Sequence, residues 1–483
     1  MNASMLRIRH YIIAAAVAGT LGGCAVGPVY ERPAAALPAH FKEAPGWLPA
    51  APADSLERGK WWALFEDPLL NELEAAVEVS NQNVEAAAAA YAQARALVRE
   101  QRAALFPVVS LDGGASRGGR NTGGTTGAAT GGSRISNAYQ FGIGGSWEPD
   151  VWGRLRASVG NASASAQASA ADLASARLSA QGELAVNYFT LRLTDLQAEL
   201  LRNSIAGYQR VLQITRNRYD AGIAPKTDVL QAETQLANAQ ADEVGLARQR
   251  AQLEHAIAVL IGKMPSEFSI APLPWKHVVP EVPAVLPSTL LQRRPDIAAA
   301  ERRVAAANEQ IGIARSGYFP NIGLDASYGL SAATVGNLFN ASSTLWSLGL
   351  SAVQTVFDAG ATGARVDAAR AAHGQATARY RQAVLAAFQD VEDQLAATQV
   401  LLRQVELRQQ ASAAADQAEA QMLNRYRAGQ VSYTEVVNAQ VTALNARRSL
   451  AQAQADRQTA AVALIQALGG GWRQDGDAAT AMK

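Results

Sequence analysis

The chain of 483 residues has a single cysteine, Cys24, so no disulfide can form within it. Aromatic residues make up only 6%. Hydrophobic content is 49%, but much of it is alanine, which buries little area per residue while favouring helix and letting helices approach closely. Long packed helices are therefore expected rather than a large globular core. An excess of one charge is also lacking: 43 Lys and Arg stand against 42 Asp and Glu, which gives no electrostatic case for nucleic acid as a partner. No segment reaches about 18 consecutive apolar residues, so no transmembrane helix is expected. The five histidines, His10, His40, His255, His277 and His373, are scattered, and neither H-E-x-x-H nor G-x-S-x-G occurs. We expect no enzyme, no catalytic residue, no metal site and no cofactor.

The context of Cys24 is informative. Arg7, Arg9 and His10 precede an apolar stretch from Tyr11 to Ala18, and Leu21-Gly22-Gly23 lead into the cysteine. A basic start, a short apolar run and small residues make an export signal over 1–23. The L-G-G-C end resembles a bacterial lipobox, so Cys24 is the expected site of covalent lipid. Ala25, rather than aspartate, follows it, which favours delivery to the outer membrane.

The chain repeats itself. Arg218-Tyr-Asp-Ala-Gly222 returns as Arg425-Tyr-Arg-Ala-Gly429, a constant offset of 207 residues that holds without a gap to Gly262 and Gly469. Proline is absent from Arg154 to Ile223 and from Ala361 onward. A helix from about Gly153 to Asn217 would be roughly 95–100 Å long. Val384, Phe388, Val391, Leu395, Leu402 and Val405 form a heptad-like stripe on its counterpart, the pattern of coiled-coil packing. Each R-Y-x-A-G closes a helix with a glycine able to take positive φ. Thr227-Asp228 and Thr434-Glu435 then read as the starts of the next helices. Each half is thus helix, strand, strand, long helix, turn, helix.

The strands show as alternation. From Asn321, Ile322, Leu324, Ala326, Tyr328 and Leu330 share one face; Asn321, Gly323, Asp325, Ser327, Gly329 and Ser331 share the other. Similar runs contain Tyr139, Phe141, Ile143 and Trp147, and Trp346, Leu348 and Leu350. We expect strands at about 107–116, 137–151, 320–331 and 344–357, with the glycine-rich stretch Gly113–Ser133 as a loop. Runs of about ten residues, apolar on one face and small or polar on the other, fit tilted strands through an outer membrane. Four strands cannot close a barrel, and an open edge in lipid is forbidden energetically. Two, three or four chains would give eight, twelve or sixteen strands.

Further motifs join these: Cys24-Ala-Val-Gly-Pro-Val-Tyr-Glu-Arg-Pro33, Trp61-Trp62 with Phe65-Glu-Asp-Pro68, Arg293-Arg-Pro-Asp296 with Ala300-Glu301, Tyr318-Phe-Pro320, and Ala467-Leu-Gly-Gly-Gly-Trp472. In order and spacing the chain resembles the TolC-like outer membrane factor family, efflux lipoproteins of the NodT/OprM type, over nearly its whole length. The resemblance implies a mainly α protein with a membrane β-barrel portion, a homotrimer with a 12-stranded barrel continued by a periplasmic α-helical barrel. It implies an outer membrane channel that passively conducts small molecules from a resistance-nodulation-division pump of the inner membrane and its periplasmic adaptor. A duct for type I protein secretion uses the same fold, and a purely structural envelope lipoprotein is a third possibility. The expected divisions are 1–23 signal peptide, 24–80 lipidated N-terminal and equatorial segment, 81–270 first repeat, 271–292 linker, 293–472 second repeat and 473–483 tail. The stretch from Pro272 to Pro287 would lie near the equatorial girdle.

The resemblance also implies site residues. Arg218, Tyr219, Gly222, Arg425 and Gly429 would form hairpin tips that meet the adaptor. Asp228, Tyr426, Thr434, Glu435 and Asn438 would form a gate, with Tyr426 linked to Asp228 and Glu435 giving an acidic ring. Some relatives add an arginine where this chain has Val431.

Overall fold

Phe106-Pro107 and Phe319-Pro320 each end a helix, because proline has no N–H to donate and disfavours helical geometry in the residue before it. Extended chain follows in both places. In the computed structural model, which describes residues 26–34, 41–43, 60–121, 133–280 and 294–470, the elements run α1 (Pro68–Ser80), α2 (Gln82–Ala103), β1 (Val108–Asn121), β2 (Ser133–Trp147), α3 (Arg154–Asp220), α4 (Lys226–Leu260), α5 (Pro295–Ser316), β3 (Asn321–Ala332), β4 (Thr344–Val353), α6 (Ala361–Arg427) and α7 (Tyr433–Ala467). The fold is mainly helical. Both α3 and α6 have 67 residues, and both α4 and α7 have 35. Cys24, the C-terminal tail and the linker beyond residue 280 lie outside the described residues. Among those described, no helix is long and apolar enough to cross a membrane. The chain divides into two units. One comprises Met1–Pro33, Tyr91–Ala168 and Ala300–Tyr380; the other comprises Ala34–Ala90, Ser169–Ala299 and Arg381–Lys483.

The first unit holds a four-stranded antiparallel sheet in the order β1-β2-β3-β4. Its register brings the alternating runs of the four strands side by side. Leu111 pairs with Ile143, Ile143 with Tyr328, Tyr328 with Trp346 and Leu324 with Leu350, so the apolar residues share one face. Ser110, Gly144, Ser327 and Ser347 form one row of the opposite face, where the Ser327 and Ser347 hydroxyls lie 2.8 Å apart. The glycine-rich stretch differs from the expected loop. Gly113–Asn121 continues β1 and pairs as far as Asn121 with Ser133. With four glycines among its nine residues and no large apolar side chain, this continuation has no apolar alternation to reveal it. The strands also stop short of 151 and 357, where the chain turns into α3 and α6.

These turns are capped from the side. Asp150 accepts hydrogen bonds from the Leu155 and Arg156 amides, both at 2.9 Å, and Asp358 accepts from Gly360 and Thr362. Both satisfy N–H groups that a first helical turn leaves open. Trp152 stacks on Phe319 and donates from Nε1 to the Pro320 carbonyl at 2.8 Å. Residues 26–33 lie along α5. Val26 donates to the Trp152 carbonyl, Asn308 donates to the Pro28 carbonyl, and the Tyr30 hydroxyl donates to Glu301.

In the second unit, four helix ends share one chemistry. Gly222, Gly429, Gly262 and Gly469 all have positive φ. Ile223 donates to Arg218, Gln430 to Arg425, Lys263 to Ala258 and Gly470 to Ile465, the six-to-one bond of a Schellman closure. Trp61, Trp62 and Phe65 are buried, with Phe65 against Phe189 and the Tyr188 hydroxyl donating to Asp67. The stripe on α6 is buried at Val384, Phe388, Val391 and Leu395 but exposed at Leu402, so within one chain only its first part packs.

Two measurements check these assignments. Arginine on the apolar face of a membrane strand costs roughly 2–4 kcal/mol at the midplane. Leu324→Arg should therefore impair membrane assembly far more than Ser327→Arg; equal yields would show the register to be wrong. Among the glycines, Gly262 packs its α-carbon against the Ser80 carbonyl, where an added Cβ would lie 2.3 Å from the oxygen, whereas Gly222 has nothing within 4 Å. Gly222→Ala should cost only about 1–2 kcal/mol of left-handed strain. Gly262→Ala should cost clearly more in thermal unfolding, and a reversed order would contradict the packing.

Candidate functional site

The two R-Y-x-A-G turns both belong to the second unit, and their side chains are not used alike. Tyr426 is 2% exposed, whereas Tyr219, its counterpart, is 43% exposed. Arg218 causes the difference. Its guanidinium lies over the Tyr426 ring, 4.7 Å from the centroid, and its Nη1 donates to the Tyr426 carbonyl at 2.8 Å. A cation over an aromatic face and a charge-assisted bond to an unpaired helix-end carbonyl reinforce each other. The first turn thus clasps the second. Arg425, at the corresponding place, is exposed.

The Tyr426 hydroxyl lies 3.1 Å from Thr215 Oγ1. Thr215 already donates its one hydroxyl proton to the Val211 carbonyl at 2.9 Å, so the phenol is the donor. Within the chain, this bond occupies Tyr426 rather than the expected link to Asp228. Asp228 is half-buried near Tyr433. Burial, followed by the neighbouring Tyr426 phenol, holds Tyr433 far above the usual phenol range. Tyr426, Tyr433, Val211, Leu212, Ala232 and Val436 form one buried cluster, and Val431 packs against it.

The helix starts correct the sequence reading. Pro225 is the N-cap of α4 and offers no side-chain cap; Ser432, not Thr434, is the N-cap of α7. Thr227 and Thr434 both lie inside their helices. Asp228 and Glu435 follow as third residues, the position from which an acid can reach back. Glu435 does so, accepting from the Ser432 amide at 3.0 Å. Thr434, Glu435 and Asn438 remain exposed. Arg218 and Tyr426 come together, and Thr434, Glu435 and Asn438 share one solvent-facing stretch of α7. Gly222 and Gly429 act through the backbone.

Sequence reasoning missed the residues that hold the segment before the second repeat. Gln458, buried on α7, accepts from Trp275 Nε1 and donates to the carbonyls of Lys276 and Val278. Arg192 donates to the Ala271 carbonyl, and Asp195 pairs with both Arg192 and Arg250. A glutamine among many on an alanine-rich helix carries no local signal of such a role. Among the described residues, no group of three or more His, Cys, Asp or Glu is placed to hold a metal ion.

A family model described as "Outer membrane efflux protein" matches the chain twice, over residues 75–263 and 286–470. The solvent efflux pump outer membrane protein SrpC of Pseudomonas putida is 34% identical over 460 residues, covering 94% of this chain and 96% of that one. The cation efflux system protein CusC of Escherichia coli O6:H1 is 29% identical over 465 residues, covering 95% and 98%. Among solved structures, the outer-membrane channel OprN superposes with a TM-score of 0.85 at 30% identity, over 93% of this chain and all of that one. The chain therefore belongs to the outer membrane efflux protein family.

Proposed function

We propose that this protein is the outer membrane channel of a tripartite efflux system. It passively conducts small molecules from an inner-membrane pump and its periplasmic adaptor to the exterior, and makes or breaks no bond. The register of the sheet carries the reading, because an apolar face shared by four strands with two open edges suits lipid and requires closure by further copies. Three copies give a 12-stranded barrel, and the helices continue as a periplasmic tunnel. Cys24 carries covalent lipid after removal of 1–23, and the barrel supplies the firmer anchor, since one acyl chain binds membrane only marginally. The two repeats, 81–270 and 293–472, are joined by the 271–292 linker. The pump is of the resistance-nodulation-division type. The adaptor meets the tips formed by Arg218, Tyr219, Gly222, Arg425 and Gly429. SrpC and CusC are named for solvent and for cations at 34% and 29% identity to this chain, which supports placing cargo choice mainly in the pump. Both names also favour small-molecule efflux over protein secretion.

The gate is formed by Tyr426, Asp228, Thr434, Glu435 and Asn438. Tyr426 holds the two turns together, Asp228 adds a carboxylate at the same hairpin end, and one Glu435 per copy makes an acidic ring that gathers cations at the mouth. Glutamine at 435 keeps the capping pair but loses the charge, so the two roles can be separated. In planar bilayers, Tyr426→Phe combined with Asp228→Ala should raise resting conductance, and Glu435→Gln should weaken cation preference while leaving thermal stability near wild type. Wild-type conductance and selectivity in both, with the assembly intact, would reduce these residues to caps and packing. No channel activity from the wild-type protein would overturn the functional reading itself.

A further inference from the structure

The apolar face of the sheet carries a single charge. By the register, Trp147, Ile143 and Tyr139 of β2 share that face with Leu111 and Tyr328, and the row beyond Tyr139 sets Arg117 of β1 opposite Asn137 of β2. Both are exposed. Asp112 and Asp325 stand on the opposite face, so among the described residues of these four strands no carboxylate shares a face with Arg117. Ile135, opposite Gly119 one row farther out, is the one large apolar residue beyond it on this face.

The height of the Arg117 row is set by strand geometry. Trp147 stands at the helix end of β2, where its indole donates to the Leu105 carbonyl at 3.0 Å, the interfacial place of tryptophan. Asn137 lies ten residues farther toward the loop end of the same strand. At about 3.3 Å per residue that is about 33 Å of strand, and a tilt of about 35–45° leaves roughly 23–27 Å across the membrane. The apolar band of such barrels is about 25 Å tall. The Arg117 row therefore falls at the second interface, with Tyr139 one row inside it. An arginine is costly at the centre of the band and tolerated at its margin. Side chains directly opposite each other on paired strands lie about 5 Å apart at Cβ, so the Arg117 guanidinium and the Asn137 amide can donate to one acceptor. A guanidinium fork matches the oxygens of phosphate, and phosphorylated glycolipid headgroups fill the outward leaflet of a bacterial outer membrane at this depth. We propose that Arg117 and Asn137 form a binding site for the phosphate of an outward-leaflet glycolipid. The inference rests on the channel reading above. It gives each copy one polar contact that holds the barrel at a fixed depth.

The full-length assembly in phosphatidylcholine nanodiscs tests it, read as the temperature at which the oligomer dissociates. Added phosphorylated lipid A should raise that temperature in wild type; lipid A stripped of its phosphates should not, and neither should inorganic phosphate in solution. Arg117→Gln should lose the rise, Asn137→Ala should reduce it, and Arg117→Lys should keep part of it. A rise in Arg117→Gln equal to that of wild type, an equal rise with the dephosphorylated lipid, or no rise in wild type would each overturn the site. An equal rise from inorganic phosphate would overturn the lipid assignment and leave an adventitious anion contact. A wild-type chain that assembles without entering the bilayer would overturn the membrane reading itself.

Discussion

A strand edge presents a row of unpaired N–H and C=O groups, and hydrocarbon offers nothing to pair them. The sheet of this protein has two such edges, on β1 and β4, and an apolar face between them that water does not favour. In the proposed assembly, other copies of the same sheet satisfy the edges, β1 of one meeting β4 of the next. The polar face then lines the proposed lumen, and oligomerisation is a condition of the fold in lipid rather than an addition to it.

The same economy governs the helical hairpins. Four helix ends use one closure, a positive-φ glycine with a six-to-one hydrogen bond, at positions that recur every 207 residues. The repeat is broken where a contact can be made only once. Arg218 reaches across to Tyr426, whereas Arg425 is exposed. Two copies of a pentapeptide thus give one buried tyrosine and one exposed tyrosine. A duplicated sequence becomes an asymmetric tip, with Tyr219 and Ile223 exposed and Tyr426 committed to the interior.

Features set by local sequence were legible beforehand. The Phe-Pro stops, the alternation from Ile322 to Leu330 and the C-terminal glycines each act within a few residues, and the structure places them as read. The continuation of β1 through Gly113–Asn121 was not legible, because a glycine-rich, polar run without apolar alternation is indistinguishable in sequence from a loop. Ser432 was passed over in favour of Thr434, since both are good caps and only the backbone decides between them. The bond from Tyr426 to Thr215 and the clamp of Gln458 on the linker join residues about 180 to 210 apart, and nothing in a single sequence marks such pairs.

Closure of the two sheet edges is the claim on which the rest turns, and covalent capture tests it directly. Cysteines placed in pairs along the outer edges of β1 and β4, scanned in register with Cys24 replaced, should give disulfide-linked species in outer membranes that stop at a closed trimer, with activity retained. Chains that remain monomeric at every register under oxidation, while the protein still sits in the membrane and conducts, would contradict the account.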